Sequence, residues 1–455
     1  MVSLRLISLV FVTLGCRELA KGDSQSLLES LPQDMSLMSS LAALGVALGF
    51  GLLFRAAALR MLVRSGTGYG QICWEQSHRA RQRIELAWLA TLPAALLATG
   101  WGESLHAFEA QGLPQAVALM GWFLPSLLLI VLLELTAAQL DELCRSPADP
   151  QAGAPPAVSP RVTSVVAGSH APDADGMVGW PEEWLSRLRL GDMAGLVACI
   201  MPLLVIASVT DVLSLVAEDV WTARCVIGAT LLSLVGVVLF LPVWLGRWMG
   251  VVELPAGEMK DRLQRQCRTL GIGGVRTCWL SSRGRWQGAA VVGWFPHFRQ
   301  LWLGDGLVDR LSTRELDMVV MHELAHLTRR HFLWRVFPIV WGVATVAAFG
   351  VLWPVDMEWL WLGKILSGLM ASLVLIGGLR VMAHVCELDA DRSACALARQ
   401  ACPWAEQDLT APAQELSSAL KQLLQDSPAA AAATWLHPSL RQRLSNLQNR
   451  AIPTR

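Results

Sequence analysis

Apolar residues dominate seven stretches of the chain, at about Leu37 to Leu53, Leu86 to Trp101, Ala116 to Leu135, Met193 to Thr210, Val226 to Leu245, Phe332 to Leu352 and Ile365 to Ala383. A bilayer core roughly 30 Å thick needs about 20 largely apolar helical residues to cross it, so each stretch is a candidate span; the second is the shortest. Pro93, Pro125, Pro202, Pro242 and Pro338 fall within or at the ends of these stretches. Helices in lipid tolerate proline when neighbours satisfy the freed carbonyls.

From Glu253 to Arg330 the pattern changes to that of a small α+β unit. Glu258 to Leu270 has helical spacing, and Arg276 to Leu280, Ala289 to Trp294 and Gln300 to Leu303 read as short strands between turn residues. Ser312-Thr313-Arg314-Glu315 matches a capping box, which predicts a helix starting there and running through Arg330. Residues 146–180 are rich in Pro, Gly, Ala and Ser with no hydrophobic period and read as a flexible linker. The expected layout is a signal-like segment at 1–16, three spans in 37–145, the linker, two spans in 190–247, and a polar domain over 250–455 interrupted by spans at about 332–352 and 365–383.

Composition agrees with a polytopic, predominantly α membrane protein: 53% of residues are hydrophobic and 16% charged, against roughly 25% charged in soluble domains. Formal net charge is zero, which gives no footing for a nucleic-acid partner. The placement of charge is more informative than its sum, because basic residues are retained on the cytoplasmic side. Arg55, Arg60, Arg64, Arg79, Arg81 and Arg83 follow the first span, and Arg247, Lys260 and Arg262 follow the fifth. Glu103 and Glu109 follow the second, and Asp211, Glu218 and Asp219 the fourth. The alternation predicts an outward N-terminus, an inward C-terminus and, for residues 322–330, a cytoplasmic address. Ten cysteines without a C-x-x-C pair suggest small buried hydrophobes rather than a thiolate metal site. Glu134 and Arg380 lie inside apolar stretches and are expected to snorkel to the interface; Gly271-x-Gly273-Gly274 reads as a turn.

The chemistry is concentrated in His322-Glu323-Leu324-Ala325-His326. On a helix the two histidines lie one turn apart on one face and can share a metal ion. Zinc favours such ligands and keeps a position open for water when the protein supplies three. Glu323, beside the first histidine, can reach that water as a general base. The third ligand is expected from Glu387, which follows the seventh apolar stretch and so returns to the membrane face that carries the histidines. Asp391, one turn further, can share its helix face and orient a ligand imidazole.

These features resemble the membrane-bound gluzincin peptidases of family M48, which include the CAAX prenyl protease and HtpX. The resemblance is carried by Leu311-Ser312-x-x-Glu315-Leu316 leading into the histidine motif, by His331, by Glu387-x-x-Ala390-Asp391, and by Leu436-His437-Pro438-Ser439-Leu440-x-x-Arg443, and it covers about Glu253 to Leu447. It implies a gluzincin-type peptidase domain with one zinc ion per chain, ligands His322, His326 and Glu387, and Glu323 as base. It further implies Asp391 as partner of a zinc histidine, His437 as stabiliser of the oxyanion, Arg443 as a supporting cation, and Ala289, Ala290, Val291 and Val292 as a strand that binds substrate backbone. Gln287-Gly288-Ala289-Ala290 stands where that strand usually follows an Asn-Ala pair. The expected activity is a membrane-embedded zinc endopeptidase of a bacterial inner membrane. Its expected partners are the bilayer and protein or peptide substrates that are membrane-associated or misfolded. The alternatives are an M56-type sensor protease, which lacks its extracytoplasmic domain here, and a catalytically silent scaffold.

Overall fold

A computed structural model describes residues 9–10, 12–17, 33–65, 70–97, 99, 101–144, 192–214, 220–280, 286, 288–293, 295–352, 360–424, 433 and 437–448. The expected linker at 146–180 lies outside these residues. The chain divides into two compact units, one comprising residues 1–157 and 171–241, the other 158–170 and 242–455.

The described residues of the first unit form helices and short turns. Its elements are α1 (Gln33–Ser65), α2 (Gly70–Leu97), α3 (Trp101–Ala110), α4 (Gln115–Cys144), α5 (Asp192–Ser214) and most of α6 (Val220–Met249). Ala43, Ala47, Phe54 and Ala58 recur on one side of α1 and are buried with Trp88 and Leu92 of α2 and Trp122, Phe123 and Leu133 of α4. Small side chains at three of the four α1 positions permit close helix approach. The second apolar stretch, read as Leu86 to Trp101, forms the C-terminal part of the longer α2, which ends at Leu97, and its last residue, Trp101, begins α3. Glu134 does not snorkel; it is buried, with Oε1 accepting a 2.7 Å bond from Arg81, which also binds Glu85. An ion pair spares each partner the cost of lying alone among apolar side chains. Leu9, Val10 and Cys16 of the N-terminal segment are buried in this unit's core.

The second unit holds a four-stranded sheet, β1 (Val251–Glu253), β2 (Arg276–Leu280), β3 (Ala289–Val292) and β4 (Gln300–Gly304), in the order β1-β2-β4-β3. β2 and β4 run parallel, and the outer strands pair antiparallel to them. β3 is therefore an edge. It ends before the predicted Trp294 because Gly293 has φ +97°, and a Cβ there would lie 2.3 Å from the carbonyl oxygen of Phe298. Only glycine turns the chain at that point. The helices are α7 (Glu258–Thr269), α8 (Asp305–Arg310), α9 (Thr313–Thr328), α10 (His331–Leu352), α11 (Leu360–Ala401), α12 (Pro403–Glu406), α13 (Ala411–Leu424) and α14 (Leu440–Gln448). The turn after α7 contains Gly271 and Gly274, both at positive φ, as its sequence suggests.

α9 is the centre of this unit. Leu316, Met318, Val319, Val320, Met321, Leu324 and Ala325 are all buried, packed with Leu301 and Leu303 of β4, Ala394 and Ala398 of α11 and Leu416 and Leu420 of α13. The capping box forms as expected: Ser312 accepts from the Glu315 amide, and Glu315 Oε2 accepts from the Ser312 amide at 2.9 Å. The helix stops two residues earlier than the sequence pattern predicts, at Thr328, because Arg330 adopts φ +53°. α10 and α11 pack as a hairpin, so closely that a Cβ on Gly378 would meet the Pro338 side chain at 2.9 Å. α11 is one uninterrupted helix of 42 residues, about 63 Å long. The seventh apolar stretch and the Glu387 to Asp391 segment are thus parts of a single rod.

Glu315 also accepts from Ser418 Oγ at 2.5 Å and Gln422 Nε2 at 2.6 Å, tying α9 to α13. Ser312→Ala should therefore lower stability by about 1 kcal/mol, the ordinary worth of a cap. Glu315→Ala should cost roughly 2–4 kcal/mol, because three donors lose a charged acceptor. Thermal unfolding of the purified chain in detergent checks the order; equal losses would contradict it.

Candidate metal centre

The buried apolar side of α9 fixes the helix rotation, and His322 and His326, one turn apart, leave it on a common side. α11 lies along α9, its approach allowed by the fully buried Ala390 and Ala394. It brings Glu387 and Asp391 to the histidines. His322 Nε2 and His326 Nε2 are 3.4 Å apart. Glu387 Oε2 is 3.5 Å from His322 Nε2, and Oε1 is 3.5 Å from His326 Nε2. Among the described residues these three form the group able to hold a metal ion.

The spacing tests whether zinc fits. With arms of about 2.0–2.1 Å, the edge of a tetrahedron is about 3.3–3.4 Å. The nitrogen pair at 3.4 Å, and the 3.5 Å from each nitrogen to its nearer Glu387 oxygen, Oε2 for His322 and Oε1 for His326, lie close to that edge. The donor set, two imidazoles and one carboxylate, is that of a catalytic zinc site with its fourth position left for water.

The surrounding groups hold these donors in place. Asp391 Oδ1 lies 3.0 Å from His322 Nδ1, which leaves Nε2 facing Glu387. Arg443 from α14 grips Asp391 with two bonds, Nε to Oδ2 at 2.9 Å and Nη2 to Oδ1 at 2.5 Å. His437 Nδ1 lies 3.1 Å from Glu387 Oε2, and Arg335 Nη2 donates to Glu387 Oε1 at 3.5 Å. Glu323 Oε2 accepts from the Val291 amide at 3.3 Å. In β3 the residue pairs with β4 alternate, and Gly288 already serves β4 through its carbonyl; the Val291 amide accordingly points to the free edge. The strand residues Ala289, Ala290, Val291 and Val292 thus run past Glu323, half-buried.

The electrostatics are those of a site built around positive charge. Burial alone would depress His322, but hydrogen bonds to Asp391 and Glu387 outweigh it and raise its pKa to about 10. Burial, and then the charge on His322, push His326 down to about 3. Glu387, which burial would raise, is held well below the usual carboxylate range by His322 and His437. Asp391 is likewise held low against burial, by Arg443 and then His322. Glu323 goes the other way, raised chiefly by burial. A proton on His322 therefore stands where a cation would otherwise sit.

Two residues near the site had no role assigned from the sequence. His331, the first residue of α10, is buried with Nδ1 2.9 Å from His326 Nδ1, and Asp389 accepts from its far side. His331 stood in the sequence as one residue of a family pattern, and Asp389 lies between two acids on another side of α11. Their meeting depends on the break at Arg330, which no local pattern announces.

A family model described as Peptidase family M48 matches residues 254–451. No curated protein matches the chain. Among solved structures, the crystal structure of S. mikatae Ste24p is similar at 13% sequence identity, over 92% of this chain and 99% of that one, with a TM-score of 0.41.

Zinc uptake must displace the His322 proton, whereas His326 is already neutral and Glu387 already ionised at neutral pH. At pH 6, below the range in which zinc-activated water ionises, each zinc bound should release about one proton. Apparent affinity should then rise about tenfold per pH unit. Calorimetric titration in buffers of different ionisation enthalpy measures this; release near zero would contradict it.

Proposed function

We propose, from the match of residues 254–451 to the model of peptidase family M48, that the chain is a metallopeptidase and, more closely, an integral-membrane zinc endopeptidase. In this reading it hydrolyses peptide bonds of membrane-associated or misfolded proteins at the cytoplasmic face of a bacterial inner membrane. The observation that carries the reading is the position of Glu323. It follows His322 directly in α9, and its carboxylate accepts from the Val291 amide at the free edge of β3.

Zinc bound by His322, His326 and Glu387 would polarise a peptide carbonyl and lower the pKa of water toward about 7. A substrate segment adds to β3 as a further strand, using the backbone groups of Ala289 and Val291 on the free edge, which fixes the peptide in extended form. Glu323 takes a proton from the attacking water and passes it to the departing amine nitrogen. Burial favours this work, because a raised pKa makes the carboxylate a stronger proton acceptor. His437, which reaches Glu387 from the segment before α14, is assigned to the carbonyl oxygen as that atom gains charge. Arg443 holds Asp391, and Asp391 holds His322, so these two act by orientation.

Membrane embedding is supported by surface and length. Among the described residues, Ala42–Arg60 of α1 and Gln115–Ala137 of α4 are helical segments long and apolar enough to cross a bilayer. Large apolar side chains are exposed on other helices as well, including Leu232 and Phe240 of α6, Leu333, Trp334, Phe337 and Trp341 of α10, and Met370 and Leu373 of α11. Large apolar side chains exposed in such number are costly in water and at home in lipid. The arrangement of seven spans, N-terminus outward, follows from the charge pattern of the short loops.

Glu323→Gln should leave zinc content unchanged and reduce cleavage by about 10²–10⁴-fold, the usual worth of a general base. Comparative proteomics of membranes carrying either form would reveal the substrates; undiminished proteolysis in the variant would sink the mechanism. His437→Ala should lower kcat by about 10²–10³-fold with KM little altered. A change confined to KM would remove His437 from its assigned role.

A further inference from the structure

The first residue of α10 sits where it does because of a backbone conformation that side chains disfavour. Arg330, between α9 and α10, has φ +53° and is the one non-glycine residue at positive φ among those described. Such outliers persist only where the surroundings enforce them, and they gather at functional sites. Here the reversal folds α10 back so that His331, five residues beyond His326, meets it: the two Nδ1 atoms are 2.9 Å apart. On its other side His331 Nε2 is 3.0 Å from Asp389 Oδ2, and the same oxygen accepts from Arg329 Nε at 2.9 Å.

The protons along this chain have only one consistent arrangement if His326 is a metal ligand. Its Nε2 faces His322 and Glu387 and must carry a lone pair. The neutral ring then bears its proton on Nδ1. That proton can go only to His331 Nδ1, which must accept, so the His331 proton is on Nε2 and points at the Asp389 carboxylate. Every donor has an acceptor. Arg329 neutralises Asp389 from outside. His322 is oriented in parallel fashion by Asp391 and Arg443, so each ligand imidazole has its own carboxylate and arginine, direct for one and relayed for the other.

Resting on the reading of His322, His326 and Glu387 as a zinc site, we propose that His331 and Asp389 are positioning residues that fix the tautomer and ring orientation of His326 through the relay Asp389 to His331 to His326. Groups that orient ligand imidazoles contribute about 10–100-fold in metal affinity.

The test is zinc affinity by chelator competition on the full chain in detergent, with the melting temperature of the zinc-free protein recorded beside it. His331→Leu removes the acceptor and should weaken zinc about 10–100-fold. His331→Asn places a carbonyl oxygen where Nδ1 was and should bind zinc within about threefold of the unaltered chain, because the acceptor for His326 is kept. The two variants should melt alike without zinc. Zinc held as tightly by H331L as by the unaltered chain, or no more tightly by H331N than by H331L, overturns the proposal. Asp389→Ala, at a side chain 31% exposed, keeps the question open to measurement if H331L does not fold; several-fold weaker zinc supports the relay, and unaltered affinity contradicts it. An unaltered chain that takes up no zinc would instead remove the peptidase reading, and the relay with it.

Discussion

Two imidazole nitrogens 3.4 Å apart, each 3.5 Å from a different oxygen of one buried carboxylate, call for positive charge among them. That requirement organises the second unit. α9 must be buried on its apolar side so that its histidines share a direction, and α11 must lie against it at the level of Glu387. The cation also accounts for residues that would otherwise be expensive. Glu387 and Asp391 are almost wholly buried acids, and such groups are tolerated only when paired or coordinated. Arg443 offsets one of them, bidentate to Asp391, and the metal would offset the other.

In the proposed reading the same packing serves substrate access. β3 is an edge strand, and edges are liabilities unless something occupies them. Here the free edge runs beside Glu323, and the Val291 amide already donates to that carboxylate. Exposed hydrogen-bonding groups and the proton acceptor thus lie on one line, an arrangement suited to an extended peptide. The long α11 links this chemistry to the hairpin it forms with α10, so the helix that presents Glu387 also carries exposed apolar side chains such as Met370 and Leu373.

Much of this was legible in the sequence, where a short-range rule sufficed. The capping box placed the start of α9 because Ser312 and Glu315 satisfy each other locally. The strands β2 and β4 followed from their apolar runs, and the i, i+4 spacing of His322 and His326 follows from helix geometry alone. Other features depend on contacts far apart in sequence. β1 is three residues long and exists by pairing with β2. The buried ion pair of Arg81 with Glu134 joins two helices 53 residues apart, so Glu134 taken alone resembled a snorkelling residue. The positive φ of Arg330 is the least legible of all, since arginine has no local preference for it. His331 and Asp389 became visible only through that turn.

The central claim is that His322, His326 and Glu387 together hold one zinc ion. X-ray absorption spectroscopy of the zinc-loaded chain tests it most directly. The account predicts a shell of nitrogen and oxygen atoms only, at about 2.0–2.1 Å, with the multiple-scattering signature of two imidazoles. It also predicts that the spectrum changes in Glu387→Ala. A sulfur shell near about 2.3 Å, or a spectrum indifferent to that substitution, would contradict it.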